Sequence, residues 1–565
     1  MIRLFDWIKP QNYFFTVFLV VLLGIILKRI TIGVDLSDEA YYATHLDGWL
    51  KEGVKNSPNL MIHQSAALLL FPLAYVYQNL VGHETGLILF LRLIYVLMAL
   101  GAMLSLYFFI KPYRGQLLAA LVLAFGFLFI PWSLPAPSYN TIGMHGMLAA
   151  ISLFGIAVMQ RQEKKKLSLN LFFLSALTWT CTIVAYPSLL MVFSGFVGIA
   201  FSLLKERAVV FYYLLFCGFL FAVALVLLFM ILGPEHCIQI FRFTNAALQI
   251  SGGIAAKFHK IYEQIFQSPT FAILCMASLS FGIIITIYPR LILVAELYLA
   301  GVIFYLTFFA KVVLFLVSHD IILIIALFGV FIPLTAIRRR ENHLYQVLTI
   351  IYCSSLFAGL ITSITASNGL FNFPIGGLLA ACLTLAFIGY EEARERGRHG
   401  LIFILILSSY SMGFIAYKNN YGETDGSPLF IPNQKIDQGV FAGLKTSVQL
   451  ASFISKVSSI LPQETKGKKI TVFGRLSGFY LLTSLAPSAL TTWNYQFSET
   501  NLAGQMITQF YQDKKNQPCL IVEYSDPWTQ PLTDREKSLL KNYRLKSSVE
   551  SEARVVRVYQ NPECG

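Results

Sequence analysis

Apolar runs of about 18 or more residues recur along most of this chain, from Tyr13–Leu27 to 401–417. Each is long enough to cross a hydrocarbon layer as a helix. In lipid, every backbone N–H and C=O must find its partner inside the protein, so such a chain folds as a bundle of spanning helices. Charged residues are only 13% of the sequence, against roughly 25% in a soluble domain. The first run has no small-residue cleavage site after it and reads as an uncleaved span.

The runs fall at about 11–29, 85–110, 115–131, 142–160, 168–186, 188–204, 209–232, 270–288, 291–317, 321–337, 344–363, 374–390 and 401–417. Segment 64–80 leads into Gln78, His83 and Glu84, which are too polar for a full span, and is expected to be interfacial or re-entrant. Thirteen spans remain. The formal charge of +13 could suggest a nucleic-acid partner, but the cations sit in short loops. Arg3, Lys9, Lys111, Arg114, Arg161, Lys205, Arg290, Arg338 and Arg394 all fall on one side of a thirteen-span path. That side is cytoplasmic by the positive-inside rule. The opposite, outer side then receives loops 30–63, 131–141, 233–269, 318–320 and 364–373, together with the tail. The expected organisation is a membrane domain over 1–417 and an extracytoplasmic α/β domain over 418–565.

In the tail, Lys469–Phe473, Cys519–Tyr524 and Ala553–Tyr559 have the Val, Ile and Tyr content of strands. Val440–Ser458 and Leu502–Lys514 read as helices. Of eight cysteines, six lie in or near apolar runs, where the thiol behaves as a small hydrophobe. Cys519 and Cys564 could pair if the tail faces an oxidising compartment. No cysteine or histidine pair has metal-ligand spacing, and no metal or cofactor is expected.

The first outer loop concentrates the ionisable groups. Gly33–Tyr42 carries Asp35, Asp38 and Glu39, then Tyr41 and Tyr42. Ser37 can cap a helix starting at Asp38, with Tyr42, Leu46, Trp49 and Leu50 on one face, which predicts a helix lying along the membrane surface. Acids in a helix's first turn also suit the macrodipole without any chemistry. The chemical reading is that Asp38 takes a proton from an acceptor hydroxyl while Glu39 orients it. Arg242, Lys257, His259 and Lys260 of the loop 233–269 could bind a donor phosphate, with His236 near that loop's start; ordinary headgroup contact is the competing reading. Asp35 and Tyr42, with Tyr139, Asn372 and Lys311, are candidate substrate-lining residues. Pro, Asn and Gly around Tyr139–Asn140 and Asn368–Asn372 would also serve plain turns. His319–Asp320 could form a proton relay or simply cap its span. Glu296 and Lys311, both inside an apolar run, are costly there and expected to face a cavity or partner.

One span, an outer loop opening on Asp38-Glu39 before Tyr41-Tyr42, an amphipathic helix, and Arg92 in the next apolar stretch resemble the GT-C glycosyltransferases. The likeness is to bacterial relatives of protein O-mannosyltransferase and of lipid A aminoarabinose transferase, and is best over 11–110. It implies an inverting hexosyl- or pentosyltransferase of the bacterial inner membrane with a polyprenyl-phosphate sugar donor, a lipid, glycan or protein acceptor, and no nucleotide sugar. Asp38 would be the base or acceptor-orienting acid and Glu39 its pair. The family often has a basic residue before a Pro-Pro-Leu stretch. The comparable stretch here, His63–Leu68, lacks those prolines and a lysine, leaving His63 as the phosphate donor group. A lipid-linked sugar flippase would favour broken, charged helices at mid-membrane. An O-antigen-type polymerase or ligase would favour arginine-rich outer loops. Both stay open as alternatives.

Overall fold

The computed structural model describes residues 10–55, 57, 60, 65–82, 84–161, 165–248, 253–310, 314–366, 368–390, 398–418, 434–462, 468–493, 497–527, 529, 531–551 and 554–564. The chain forms two compact units. One gathers Met1–Arg29, Leu93–Ala224 and Ile254–Asn419; the other gathers Ile30–Arg92, Leu225–Gly253 and Asn420–Gly565. The tail thus shares its unit with the first loop and with part of the segment 233–269.

Among the described residues, eleven helices are long and apolar enough to cross a membrane, and Ser65–Val81 and Leu189–Leu203 are shorter apolar helices. The thirteen expected runs differ from this for local reasons. The runs 85–110 and 115–131 belong to one 42-residue helical stretch, Leu87–Leu128, bent at Gly115 where φ is 80°. Leu189–Leu203 has only 15 residues. Segment 64–80 is the helix Ser65–Val81, with Pro72 inside it.

In the helical unit, Phe373–Phe387 is buried at every position. His343–Thr365, Leu314–Phe328 and Tyr139–Gln160 pack around it. A Cβ on Gly376 would come within 2.2 Å of the Gly359 nitrogen, so this helix and His343–Thr365 touch backbone to backbone. Without a hydrophobic drive between helices in lipid, such close approach supplies much of the packing. The helix Arg207–Leu232 is the opposite case. Phe219 and Met230 are 64% and 68% exposed, as a lipid-facing surface requires.

The second unit is built on a sheet. Its strands are β3 (Lys469–Phe473), β4 (Ala486–Pro487), β5 (Leu520–Ser525), β6 (Arg544–Ser551) and β7 (Arg554–Gln560), following a small antiparallel pair, β1 (Gln434–Lys435) with β2 (Lys445–Thr446). The sheet order is β4-β3-β5-β7-β6, parallel across the first three strands and antiparallel beyond. Segment 233–269, expected as a loop, is helical over Pro234–Leu248 and Gly253–Phe266. Phe243, Ala246 and Ala247 of Pro234–Leu248 enter the core with Phe473, Phe497, Ile507 and Tyr511. The first loop joins the same unit through its backbone: Gly33 N–H donates to Lys445 C=O at 2.8 Å and Lys445 N–H to Thr31 C=O at 2.7 Å.

Three expected strands are present within one or two residues, as is the helix Leu502–Gln512. The helix expected over Val440–Ser458 begins only at Val448, because Gly439 and Gly443 turn the chain with φ of 71° and 88°. The strand β6 and the helix Asp534–Leu540 had not been anticipated. Cys519 and Cys564 are bonded, their Cα atoms 5.6 Å apart.

Candidate functional site

The first loop is held by a single guanidinium. Arg92 Nε donates to Glu39 Oε1 at 2.7 Å and Nη2 to Glu39 Oε2 at 2.6 Å. Nη1 donates to the carbonyls of Ile30 and Ile32 at 2.8 and 3.1 Å, and Nη2 to that of Gly33 at 3.0 Å. Both side chains are buried, 2% and 3% exposed. The planar fork of arginine is suited to holding a carboxylate and several carbonyls at once. Glu39 is therefore tied into the scaffold through both oxygens. Arg92 was read only as part of the resemblance. Its signal in the sequence was a lone ionisable group inside an apolar run.

Asp35 performs the capping expected of Ser37. Its Oδ1 accepts from the Ser37 N–H at 2.8 Å and from the Ser37 hydroxyl, and Oδ2 accepts from the Glu39 N–H at 2.7 Å. Ser37 makes no side-chain cap bond. Asp38 opens the helix Asp38–Glu52, half-buried, between the two acids whose oxygens are so engaged.

That helix, expected to lie along the membrane surface, is packed against other parts of the protein. Ten of its residues, Glu39–Tyr41 and Ala43–Trp49, are buried. Ser477–Leu482 and β4 of the tail and the helix Ser65–Val81 pack against it. Tyr41 stacks on Trp493, with centroids 4.0 Å apart, and Tyr42 meets Tyr41 edge-on and is half-buried. Polar side chains of the helix are enclosed as well. Lys51 Nζ lies 2.7 Å from Asp47 Oδ2 and donates to the Thr483 carbonyl at 2.9 Å. Burial raises the Asp47 carboxyl well above its usual range, against the pull of Lys51. His45 has neither ring nitrogen hydrogen-bonded, and burial, aided by nearby His236, lowers it to about 3.

The outer-loop candidates of the helical unit form a second group. His319 Nε2 accepts from the Trp132 N–H at 3.2 Å, and its Nδ1 pairs with the Phe371 carbonyl. This fixes the proton on Nδ1 and makes His319 a staple between two loops, not the relay considered above. Trp132 and Ser133, in between, have φ of 58° and 55°, rare for such residues. Tyr139 meets Tyr186 edge-on at 5.0 Å, and the Tyr186 hydroxyl lies 3.2 Å from Thr365 Oγ1. The amide oxygens of Asn140 and Asn372 are buried with no partner among the described residues. Lys257 Nζ reaches the Thr365 carbonyl at 3.5 Å, and burial lowers its pKa. His259 pairs with Glu263 at 3.1 Å, and Lys260 is exposed. Arg242 is exposed and belongs to the other unit, so the four cations expected on one loop are divided between two units. His63 and Lys311 lie outside the described residues.

No family model and no curated protein matches this chain. Among solved structures, the Archaeoglobus fulgidus oligosaccharyltransferase, tethered with an acceptor peptide containing the NVT sequon, is similar at 11% identity, covering 98% of this chain and 74% of that one, with a TM-score of 0.49. ArnT from Cupriavidus metallidurans in the apo state is similar at 12% identity, covering 97% and 98%, with a TM-score of 0.44. The same ArnT bound to undecaprenyl phosphate has 11% identity, the same coverage and a TM-score of 0.43. At this level of likeness, the chemistry has to be argued from the chain's own residues.

Proposed function

We propose that this chain is a GT-C-type glycosyltransferase that moves a sugar from a polyprenyl-phosphate carrier to an acceptor hydroxyl at the outer face of a bacterial inner membrane. The observation that carries this reading is the construction of the first loop. Arg92 and Glu39 pin its backbone and Asp35 caps its helix, so Asp38, the first residue of that helix, is the loop's base in a preset place. Fixing the base before substrate arrives is how such a site lowers its barrier. Asp38 accepts the acceptor's hydroxyl proton. The hydroxyl oxygen bonds to the anomeric carbon as that carbon's bond to the carrier phosphate breaks, and the carrier phosphate departs with the bonding pair, inverting the centre. Of the cations considered for the departing phosphate, Arg242 belongs to the same unit as Asp38.

The sidedness rests on two further points. The first loop and the tail fold into one unit and so share one side of the membrane. The Cys519–Cys564 disulfide suits an oxidising compartment.

The test is sugar transfer by the purified full chain in nanodiscs, with a panel of polyprenyl-phosphate sugars and Asp38→Asn beside the parent. Removal of a catalytic base lowers the rate by roughly 10²–10⁴-fold. Turnover within threefold of the parent in Asp38→Asn would move the base elsewhere. Lipid translocation without any transfer would replace the reading with a flippase.

A further inference from the structure

The helical unit holds a cavity of about 280 Å³ whose walls include Thr286, Thr335, Arg338, Arg339, Tyr345 and Tyr390. Tyr345 and Thr365 belong to one helix, His343–Thr365, and stand about 30 Å apart along it at 1.5 Å per residue. That is the thickness of the hydrocarbon layer, so the cavity and the Tyr139–Thr365 group lie at opposite ends of the bundle. One water needs roughly 10–15 Å³ of such volume, so the space admits a polyatomic group. Among the described residues, no carboxylate lines it.

Thr286 sits in the last turn of the helix Pro269–Ile287, where carbonyls have no partner within the helix. Arg338 Nη1 donates to the Thr286 carbonyl and caps that end. Capping alone accounts for a cation here. It uses one of the five N–H groups of a guanidinium, and among the described residues Arg338 makes no other hydrogen bond or ion pair. The wall across from it keeps its shape without Arg338. Gly389, with φ of 63°, turns the chain after Phe373–Phe387. Tyr390 then meets Phe387 and Tyr345 edge-on at 5.6 and 6.5 Å, and Arg114 lies over its ring at 5.6 Å. A guanidinium with donors to spare, a hydroxyl at Thr335 and a preformed wall without acids suit an oxyanion.

The rim shows what carries that oxyanion. Ile287, Leu291 and Ile337, each next to a wall residue in the chain, are exposed at the ends of spanning helices, where lipid tails are their solvent. We infer that this cavity binds the phosphate of an anionic lipid, with the lipid's tails lying along Ile287, Leu291 and Ile337. The site belongs to the leaflet opposite the Tyr139–Thr365 group and does not rest on the transferase reading.

The full chain is purified in detergent micelles holding equal parts of phosphatidylglycerol and phosphatidylcholine, and the retained lipid is counted by native mass spectrometry. The parent is expected to retain phosphatidylglycerol in preference to phosphatidylcholine. Arg338→Gln, whose amide still reaches toward the Thr286 carbonyl, should hold it roughly tenfold less tightly, the worth of one hydrogen bond to a charged group. Thr335→Phe fills the cavity, keeps the charge and should lose the lipid equally. Arg207→Gln, which changes an exposed arginine at the start of Arg207–Leu232, should keep the parent's preference. Circular dichroism confirms the fold of each variant. No preference in the parent, or unchanged retention in Arg338→Gln, overturns the site. So does a loss in Arg338→Gln that Thr335→Phe does not share or that Arg207→Gln shares in full, because ordinary headgroup contact needs charge but no cavity. Inorganic phosphate is then added at the concentration of the lipid. Retained lipid supports a lipid site; displaced lipid means that the tails add nothing and overturns the lipid assignment.

Discussion

Replacing Arg92 by methionine keeps an unbranched, though shorter, side chain and deletes five hydrogen bonds, two to Glu39 and three to the carbonyls of Ile30, Ile32 and Gly33. Glu39, 3% exposed, is left as a buried carboxylate without its cation. Breaking a buried pair from one side costs about 3–5 kcal/mol. At about 1.4 kcal/mol per factor of ten, local opening of the loop becomes roughly 10²–10³·⁵ times more frequent. Amide hydrogen exchange reads this at Gly33, Ser37 and Glu39, whose N–H groups are bonded to Lys445 and Asp35. Sugar transfer should fall with the protection. The double variant Arg92→Met/Glu39→Leu, which removes both charges, should recover part of the loss and give a coupling of about 2–3 kcal/mol. Additivity within about 0.5 kcal/mol, or full protection in Arg92→Met, would refute the idea that this pair holds the loop.

His45, lowered to about 3 by burial, is neutral in the fold, so its contribution is present above the unfolded pKa of 6.5 and is lost as pH falls toward 3. At pH 5 this amounts to about 2 kcal/mol, and His45→Leu should flatten the fall in thermal midpoint between pH 7 and 5; equal slopes in both proteins would count against it. Gly376→Ala sets a methyl against the backbone of Ala358–Gly359 and should cost about 1–3 kcal/mol, read as a lower midpoint in detergent. Gly24→Ala, with nothing within 4 Å, is the matched control and should leave the midpoint unchanged.

The bundle was legible because lipid imposes one rule along the whole chain, and runs such as Phe373–Phe387 obey it without local exceptions. Strands β3, β5 and β7 were legible for a similar reason: they are interior strands rich in Val and Ile. Strand β6 escaped because it is an edge strand, RLKSSVES, whose exposed side chains carry no apolar alternation. The helix Asp534–Leu540 had a signal that went unread, Thr533 and Glu536 in a reciprocal capping box. The loop helix was misread for a deeper reason. Its Asp47, Lys51 and Glu52 look like a solvated face, and much of what encloses them is the tail, more than 400 residues on.

The same distance explains why three acids within five residues could not be told apart. Asp35, Asp38 and Glu39 have similar chemistry and adjacent places in the chain, so periodicity offers no ranking. What separates them is the donors that reach each one. The amides of Ser37 and Glu39 occupy Asp35, turning it into a cap. Arg92, 53 residues away, occupies Glu39. An acid whose lone pairs are filled by fixed donors is a poor base, because protonation would have to break those bonds first. The places of Asp35 and Glu39 in this loop are thus set by their donors, and for Glu39 that donor is an arginine in an apolar run. That makes Glu39→Gln the sharper companion to Asp38→Asn. If Glu39 positions, the glutamine should reduce loop protection and transfer together; if Glu39 reacts, transfer should collapse while protection holds.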